Sequence, residues 1–374
     1  METNFWLKRK ALKVLTKLGL TNYLFFRKHN KIYSKDRINN ILKTGFVSNP
    51  IRVKWELTML CNLNCIMCHQ KERRKNIFKE LKTDQIKKIV DNLYAAGIKK
   101  ILLKGGEIFV RKDIFRILDY IQYKGFKINI ITNGTFINKD FAAKLNNYKN
   151  IEVITFSLDG LRVHHDKIRN VGGVFDKTIE AIKLTKEKNF FVNIACVLQK
   201  DNLKDIRGLV DLSISLGVDL VTFTMEMFYT NDEIEKSKSI MGNDIYTYVS
   251  KNREYPFSYD ELTNLIKYFK DKSKKSGVYI HLWPPILRKY PESFYYNKLR
   301  DKKINLICDT FFEVNLNEKG EIFICPFIKK SFGNLLNQEL RNIWNSGEIR
   351  KSRKKIFENN LIPTCERCCK LDFY

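Results

Sequence analysis

The sequence predicts an α/β protein built on a partial (β/α)6 TIM-like barrel, with a small α+β domain after it and an amphipathic helical extension before it. Six apolar, β-rich runs alternate with helix-like stretches between residues 52 and 225, a pattern typical of parallel strands joined by right-handed crossovers. A hairpin-like segment and a cysteine-rich tail follow residue 300, and a lysine-rich helical pattern precedes residue 50. We therefore expect units at 1–50, 51–290 and 300–374.

The first unit, residues 1–50, begins with the pattern of one amphipathic helix. Lysines crowd one face of this helix, and apolar side chains recur on the other at helical spacing. The apolar positions are Leu7, Ala11, Val14, Leu15 and Leu18. We favour a helix that packs this stripe on the main domain and leaves its lysines in water. The alternative is peripheral contact of residues 5–26 with an anionic membrane surface.

The second unit, residues 51–290, contains the barrel strands. The apolar runs lie at 52–59, 99–103, 127–132, 151–158, 191–198 and 218–225. Residues 226–257 have weak periodicity and predict an insertion or long loop, followed by a helix near 259–275 and a strand at 277–283. In such a barrel the reactive groups lie at the C-terminal ends of the strands, which here fall within 51–225.

The third unit, residues 300–374, begins with a hairpin pattern. The segment FFEVNLNEKGEIFIC has Glu318-Lys319-Gly320 as its turn, since glycine accommodates tight turns between strands. A short helix and a tail with cysteines at 365–369 complete the chain. The texture differs from the strand and helix alternation before it, so we expect a separate small domain.

The charge balance of the chain restricts its partners only weakly. The formal net charge is +27, from 68 lysines and arginines against 41 acidic residues, which suits nucleic acid, acidic lipid or an anionic substrate. A genome whose base composition favours lysine codons gives the same excess of positive charge. We therefore treat nucleic-acid binding as a minor alternative. Lysines interrupt the apolar runs at the start, which does not resemble a secretory signal. We expect a cytoplasmic protein whose cysteines are reduced and available to metal.

Three of the nine cysteines crowd into the stretch CNLNCIMC, where the first strand ends. Cys61, Cys65 and Cys68 are spaced by three and then two residues, whereas zinc sites usually use paired two-residue spacings. Cubic 4Fe–4S clusters normally take four thiolates. Three thiolates from one loop would leave one iron open to another ligand; a zinc knuckle is the alternative interpretation.

CNLNCIMC closely resembles the Cys-x3-Cys-x2-Cys signature of the radical S-adenosylmethionine (SAM) enzymes. The resemblance implies a 4Fe–4S cluster on Cys61, Cys65 and Cys68. It also implies that the amino and carboxylate groups of SAM chelate the open iron. Met67, inside the loop, is then expected to pack on the adenine of SAM.

Motifs at the next two strand ends are similar to those of the same family. Gly105, Gly106 and Glu107 match its GGE motif, which holds the methionine amino group of SAM. Ile108 stands where the family usually has proline, which changes the turn but removes no ligand. Asn133, in the sequence Thr132-Asn133-Gly134, matches a turn beside the cofactor.

The fourth strand ends in SLDG, followed by HHDKIRNVGGVF. This arrangement resembles the branch of the family that contains sulfatase-maturating and peptide-modifying enzymes. The resemblance implies that Ser157 contacts the ribose or carboxylate of SAM, that Asp159 lies near the ribose, and that Arg169 reaches the carboxylate. We interpret His164 and His165 as parts of a capped loop.

The tail is similar to the SPASM or shorter twitch domains of radical SAM enzymes, which hold auxiliary 4Fe–4S clusters. Cys308, Cys325, Cys365 and Cys368 can supply four ligands to one auxiliary cluster, and Cys369 is either a substitute ligand or a spectator. A structural zinc ion in the same four cysteines is the alternative.

The expected chemistry is reductive cleavage of SAM to a 5'-deoxyadenosyl radical that abstracts a substrate hydrogen atom. An auxiliary cluster with no open iron would suit a net two-electron oxidation; epimerisation and crosslinking are alternatives. Glu226 alternates with Thr222 and Thr224 on the sixth strand, so we consider it a substrate contact or base, against a simple salt bridge. Cys196 is either a small core residue or a barrel-facing thiol that donates a hydrogen atom.

The expected partners are a reductant such as flavodoxin or ferredoxin and an unidentified substrate. We favour a small molecule such as a sugar or nucleoside, because fifty amphipathic residues are short for a leader-peptide-binding domain. A peptide-modifying or sulfatase maturase-like enzyme is one alternative, and an RNA-modifying or nucleic-acid-binding iron–sulfur protein is another.

Overall fold

The structure is a computed structural model that describes residues 2–21, 32–74, 80–242 and 255–374. Its centre is a nine-stranded sheet in the order β10-β9-β1-β2-β3-β4-β5-β6-β7. All neighbouring pairs from β1 to β7 are parallel, which confirms the α/β barrel type. The barrel strands are β1 (Val53–Thr58), β2 (Lys100–Gly105), β3 (Lys127–Thr132), β4 (Ile151–Ser157), β5 (Val192–Leu198), β6 (Leu220–Met225) and β7 (Tyr279–Trp283).

Alternation along each strand separates an apolar outer face from a polar inner face. Trp55, Phe156 and Phe223 are buried under the helical layer, and Phe223 stacks on Phe269 with ring centroids 4.5 Å apart. The side chains that alternate with them, such as Thr222, are often polar and face the barrel interior. The sheet can therefore bury its core on one side and line a polar space on the other.

The helices cover the outer face of the sheet through apolar stripes. In α4 this stripe consists of Ile86, Ile89, Val90 and Leu93, the spacing of one helix face. The helices up to residue 241 are α1 (Glu2–Lys17), α2 (Lys35–Thr44), α3 (Lys71–Arg74), α4 (Thr83–Ala95), α5 (Ile114–Tyr123), α6 (Lys139–Leu145), α7 (Arg162–Arg169), α8 (Val174–Glu187), α9 (Ile206–Ser215) and α10 (Asn231–Met241).

The chain after β6 differs in part from the sequence prediction. Helix α10 lies inside 226–257, where we expected a loop, because Thr230 and Glu233 form a capping box that starts it. The remainder of that predicted loop, 243–254, lies outside the described residues. Helix α11 (Tyr259–Ser276) and strand β7 follow as predicted and add a seventh parallel strand.

Helix α1 lies against the N-terminal side of the barrel. Arg9 forms an ion pair with Asp219, just before β6, and Thr16 is buried. Val14 and Leu18, however, are 54% and 63% exposed. The favoured prediction that the apolar stripe packs inward is therefore wrong for Val14 and Leu18, because the helix docks through the side that carries Arg9 and Thr16; Leu15 is half-buried.

The C-terminal segment lies at both edges of the barrel sheet. Strand β9 (Val314–Leu316) pairs in parallel with β1, and β10 (Ile322–Phe323) completes the predicted hairpin. At the other edge, the Lys370 ammonium lies 5.3 Å from the ring centroid of Trp283 on β7. The remaining elements are α12 (Pro291–Tyr295), β8 (Leu306–Cys308), α13 (Leu340–Trp344), α14 (Gly347–Glu358) and β11 (Leu371–Phe373), which pairs with β8.

A buried ionic cluster joins β9 to β1. Lys54 pairs with Glu313 and lies 3.5 Å from Asp309, and Arg52 Nε donates to Glu313 at 2.5 Å. Burial acts to lower the pKa of Lys54, but Asp309 and Glu313 outweigh it and raise that pKa. The lysine is therefore held charged in the seam between the barrel and the C-terminal segment. Within the described residues, no helix combines the length and the hydropathy needed to span a bilayer.

Candidate functional site

The loop CNLNCIMC leaves β1 at its C-terminal end and gathers its three thiols. Cys65 is buried with Leu63 and Val174, and Cys61, Met67 and Cys68 pack against that group. The amide of Leu63 donates to Cys61 Sγ at 3.4 Å. Burial raises the pKa of Cys61, and this N–H acts against that rise by favouring the thiolate, the form that binds metal.

Two anchors fix the backbone of this cysteine loop. Arg74 donates from its guanidinium to the carbonyl oxygens of Leu63 and Cys61 at 3.0 and 3.1 Å. The amide of Ile66 donates to the carbonyl of Ile168 at 2.9 Å, which ties the loop to α7. The backbone of the loop is therefore fixed at Cys61, Leu63 and Ile66.

Asn133 connects the turn after β3 to the cysteine loop. Its side-chain amide donates to Asn62 Oδ1 at 2.9 Å, and Asn62 donates in turn to the hydroxyl of Thr135 at 2.8 Å. Both asparagine side chains are thereby fixed at the base of the loop. The structure places Asn133 beside the predicted cofactor site as a support of the cysteine loop.

Glu107 is a buried clamp between β2 and β3. Its carboxylate accepts hydrogen bonds from the amide of Asn133 at 2.6 Å, the hydroxyl of Thr132 at 2.8 Å and the amide of Phe109 at 3.1 Å. Burial raises the pKa of Glu107 to about 7, against the opposing effect of these hydrogen bonds. Its described contacts therefore hold the protein together at this strand end.

Gly105 and Gly106 allow a close approach between two strand ends. A Cβ atom on Gly105 would lie 2.1 Å from the carbonyl oxygen of Thr58, and one on Gly106 would lie 2.1 Å from that of Leu60. The amides of Gly106 and Glu107 donate to these carbonyls at 2.8 Å. The glycines are thus required for the contact between the end of β2 and the end of β1.

Arg169 links Asp159 to the cysteine loop. Its guanidinium lies 2.5 Å from Asp159 Oδ2 and 3.7 Å from Cys65 Sγ. Burial acts to lower the pKa of Arg169, but the charges of Asp159 and Cys65 outweigh it and raise that pKa. A permanent cation therefore lies beside a predicted thiolate ligand, at the strand end that the SLDG motif identified.

Two polar atoms near this ion pair can accommodate a polar ligand. Arg169 Nε and His165 Nε2 are buried and have no hydrogen-bond partner in the part of the chain that the structure describes. Since His165 Nδ1 accepts from the amide of Asp159, a neutral ring carries its proton on Nε2 and can donate it. Burial lowers the pKa of His165 to about 2, which keeps the ring neutral. These donors suit the carboxylate and hydroxyl groups of SAM.

Ser157 is the last residue of β4; its side chain is half-buried and lies on the face of the strand that lines the barrel interior. Deeper in the barrel, Asn193 donates to the hydroxyl of Thr155 at 3.3 Å and accepts from that of Thr222 at 3.1 Å. Neighbouring strands thus form a polar row across the barrel interior. Asn193 was not predicted as a site residue, although its place among apolar residues of a buried strand is itself a signal.

The two predicted catalytic candidates have different positions. Glu226 directly follows β6 and is half-buried, at the end of the strand where the barrel opens. Cys196 is paired in register with the outward-facing Phe223 and is buried beside Asn202, whose amide lies 3.7 Å from its sulfur. Cys196 therefore points away from the barrel interior and into the core under the helices. The prediction that it faces the barrel and donates a hydrogen atom is wrong.

The five C-terminal cysteines form a second group. Burial, followed by the charge of Cys325, raises the pKa of Cys365 to about 12. A hydrogen bond between adjacent thiols raises the pKa of Cys368 and lowers that of Cys369 to about 6. Cys308 is affected by Cys325 and Cys365, so all five thiols influence one another. Buried thiolates at this density repel unless a cation lies between them, so the donor set fits an iron–sulfur cluster.

Aromatic side chains connect the two cysteine groups. His69 follows Cys68, and its ring centroid lies 5.9 Å from that of Phe327, which lies 6.2 Å from that of Tyr229. The amide of Phe327 donates to Cys325 Sγ at 3.5 Å. Burial and the charges of Cys368, Cys325, Cys365 and Cys369 raise the pKa of Tyr229. The series of rings therefore begins at one cysteine group and ends at the other.

A cleft opens beside these rings, between the barrel and the C-terminal segment. Its wall includes Lys54, Glu56, Arg73, Lys104, Asn315 and Asn317. Burial acts to raise the pKa of Glu56, but Lys104 and Arg73 outweigh it and lower that pKa to about 2.

No three His, Cys, Asp or Glu side chains in the described ranges are arranged to hold a single metal ion.

Two segments of the chain match known protein families. Residues 55–213 match the model of the radical SAM superfamily, and this segment contains the cysteine loop, Glu107, Asp159 and Arg169. The chain contains a radical SAM domain. Residues 308–369 match the SPASM iron–sulfur cluster-binding domain, which contains all five cysteines of the second group. The predicted family and C-terminal domain are thereby confirmed.

Membership of these families establishes the kind of cofactor that the chain uses. A radical SAM domain implies a 4Fe–4S cluster and SAM, and a SPASM domain implies auxiliary iron–sulfur clusters. The cofactors predicted from the sequence are thus confirmed as a class. The residues that bind them remain predictions, as do the unit boundaries at 50, 290 and 300.

Two curated relatives are named for different products, a heme and the bacteriocin subtilosin. The AdoMet-dependent heme synthase of Methanosarcina barkeri is 26% identical over 80% of this chain and 83% of its own length. The subtilosin biosynthesis protein AlbA of Bacillus subtilis is 31% identical over 46% of this chain and 39% of its own length. The matches thus span less than half the length of several curated relatives.

The fold is similar to that of solved radical SAM structures. Streptococcus suis SuiB, solved with its precursor peptide SuiA, has a TM-score of 0.65 and 18% sequence identity to this chain. The alignment covers 90% of this chain and 74% of SuiB. At this identity the similarity confirms the fold alone.

Proposed function

We propose that this radical SAM enzyme holds SAM and a 4Fe–4S cluster at Cys61, Cys65 and Cys68, and catalyses a net two-electron oxidation of its substrate. One auxiliary 4Fe–4S cluster would be held by Cys308, Cys325, Cys365 and either Cys368 or Cys369. The observation that carries the proposal is the series of rings His69, Phe327 and Tyr229 between the two cysteine groups. A single isolated cluster would not require such a connection.

When bound, the first cluster and SAM supply a 5'-deoxyadenosyl radical, and the auxiliary cluster supplies an acceptor for one electron. Loss of a hydrogen atom, followed by loss of one electron and one proton, oxidises the substrate by two electrons. The residues of this chain position the reactants and exclude water, which is the usual contribution of a protein to cofactor chemistry. An external donor such as flavodoxin or ferredoxin would supply the initiating electron.

Asp159, Arg169 and His165 would orient SAM. The Arg169 guanidinium is fixed by Asp159 on one side, so its position beside Cys65 costs little further ordering when a carboxylate binds. His165 Nε2 can donate to a ligand oxygen because its other nitrogen is already an acceptor. Ser157 and Met67 would complete this side through the hydroxyl and the thioether.

Glu226 would receive the substrate proton at the end of β6. It lies three residues before Tyr229 on the same loop, so the proton and the electron would leave the substrate on one side of the cavity. Proton transfer to a positioned carboxylate is ordinary general base catalysis. A small polar substrate would meet the polar row of Thr155, Asn193 and Thr222 in the barrel interior.

Cofactor analysis and SAM cleavage test the assignment of the two cysteine groups. Anaerobically reconstituted protein should contain about eight irons per chain, and each of the variants Cys61→Ala and Cys325→Ala should contain about four. With dithionite and SAM, wild type and Cys325→Ala should form 5'-deoxyadenosine, and Cys61→Ala should form none. Cleavage by Cys61→Ala would overturn the assignment of the first group.

Product analysis tests the oxidation. In reactions with candidate substrates, one substrate should lose two hydrogen atoms for each 5'-deoxyadenosine formed. Phe327→Leu should keep its iron and its SAM cleavage but lose oxidised product. Phe357→Leu is the matched control, because Phe357 packs on Phe311 in the same segment. Substrate turnover without loss of two electrons would contradict the proposal.

Peptide modification is the second candidate, supported by the similarity to AlbA. Here the same chemistry would act on a side chain or α-carbon of a precursor peptide. Incubation with peptides encoded beside the gene separates the two candidates: a peptide mass change supports this one, and conversion of a small molecule supports the first.

A further inference from the structure

Part of the apolar face of α1 is exposed. Val14 and Leu18, one turn apart, are 54% and 63% exposed, and Leu20 after the helix is 44% exposed. A helix that only packs on its own domain hides these positions. Here three aliphatic side chains within seven residues of sequence face outward together.

The opposite face of α1 accounts for its attachment to the barrel. Arg9 pairs with Asp219, and Thr16, seven residues later on the same side, is buried. The side chains of Lys13 and Lys17 lie against Gly277, at the end of α11. The docked side of the helix thus combines an ion pair with the methylene groups of Lys13 and Lys17, and Val14 and Leu18 remain available to another surface.

A row of cations runs beside the aliphatic row. Lys13 and Lys17 are both exposed and lie at i and i+4, next to the i and i+4 pair Val14 and Leu18. Lys10 is a further exposed cation on this side. The segment from Arg9 to Leu20 contains no acidic residue. Aliphatic and cationic rows side by side match the boundary between the acyl chains and headgroups of an anionic bilayer.

We propose that this lipid-facing surface of α1, composed of Lys10, Lys13, Val14, Lys17, Leu18 and Leu20, binds the enzyme peripherally to anionic membranes. A second copy of the chain fits less well, because a two-fold contact through this face brings its lysines together. Neutral bilayers lack the charge that the lysine row complements.

Membrane binding through α1 would also set the orientation of the barrel relative to the bilayer. Asp219 precedes β6 and Gly277 precedes β7, so α1 lies at the N-terminal ends of the strands. The cysteine loop lies at their C-terminal ends. With α1 on a bilayer, the opening of the barrel faces water, and both substrate and reductant can approach from there.

Vesicle sedimentation of the reconstituted full chain tests this surface. Wild type should bind vesicles of phosphatidylcholine with about 30% phosphatidylglycerol at least about tenfold better than phosphatidylcholine alone. The double variant Val14→Asp/Leu18→Asp should lose about tenfold of that binding. Val163→Asp is the matched control, since Val163 is 72% exposed on α7, towards the barrel opening, and it should bind as wild type does.

Two results would overturn the proposal: no preference for the anionic vesicles, or equal binding by the double variant. A wild-type dimer that the double variant converts to monomer, without vesicle binding, would assign the surface to a second copy instead. Iron content and SAM cleavage report on the fold independently, because Val14 and Leu18 lie far from the cysteine loop. Failure of SAM cleavage in wild type would concern the proposed function and not this surface.

Discussion

At the scale of single residues, Glu107 shows that a motif can be recognised while its contacts are not. The sequence identifies this glutamate through its position after two glycines at a strand end. In the structure its carboxylate accepts from Asn133, Thr132 and Phe109 and so stiffens the turn that supports the cysteine loop. A buried acid with three donors is a structural joint whose protonation is coupled to folding.

This coupling predicts a pH dependence of stability. Burial raises the pKa of Glu107 from 4.5 to about 7, so the folded chain keeps a proton that the unfolded chain releases between these values. Stability is therefore fully present below about pH 4.5 and falls by about 3 kcal/mol as pH rises towards 7. Urea unfolding at several pH values should show that Glu107→Gln lacks this component. Parallel pH profiles for both proteins would contradict the prediction.

At the scale of elements, the strands were predictable and their partners only in part. Runs of apolar and β-branched residues predicted β1 to β7, because each strand needs apolar side chains on the face that packs under the helices. The direction in which α1 docks was not predictable, since periodicity identifies a stripe but not the surface that covers it. Tyr229 and Phe327 were also missed, because nothing distinguishes them among 17 tyrosines and 26 phenylalanines until the chain is folded.

The junction of β1 and β2 provides a prediction at this scale. Gly106→Ala would place a Cβ atom 2.1 Å from the carbonyl oxygen of Leu60, so one strand end must move. We expect a loss of about 2–4 kcal/mol in the free energy of unfolding and a lower iron content, because Leu60 adjoins Cys61. Gly172→Ala is the control: no atom lies within 4 Å of its Cβ position, and its cost should be within about 0.5 kcal/mol. Equal costs in the two variants would show that the close approach is unimportant.

At the scale of the whole molecule, the C-terminal segment completes the barrel sheet as well as forming a domain of its own. Lys54 on β1 is buried against Glu313 and Asp309, across the seam with β9. The hairpin of β9 and β10 was predictable from its turn. Its parallel pairing with β1 was not, because the register between segments about 260 residues apart is a property of the folded chain.

Removal of one charge should therefore weaken this seam. Lys54→Met leaves Glu313 with only Arg52 and should cost about 3–5 kcal/mol, the range for breaking a buried pair. Lys100→Met is the control on β2, because Lys100 pairs with Glu152 at a largely exposed position, where about 1 kcal/mol or less is expected. Urea unfolding measures both costs, and limited proteolysis should release the C-terminal segment faster from Lys54→Met. If Lys54→Met and Lys100→Met lowered the free energy of unfolding equally, the ion pairs between β1 and the C-terminal segment would contribute little stability.

The pairing of β9 with β1 also bears on the synthesis of the chain. Strand β1 leaves the ribosome about 260 residues before its partner at 314–316 does. Until then β1 is an open edge that can pair with other nascent chains. If Cys61, Cys65 and Cys68 hold the first cluster as proposed, their loop would be open to iron–sulfur donors during the same interval. The order of synthesis thus allows the first cluster to be inserted before the C-terminal segment closes over the cleft.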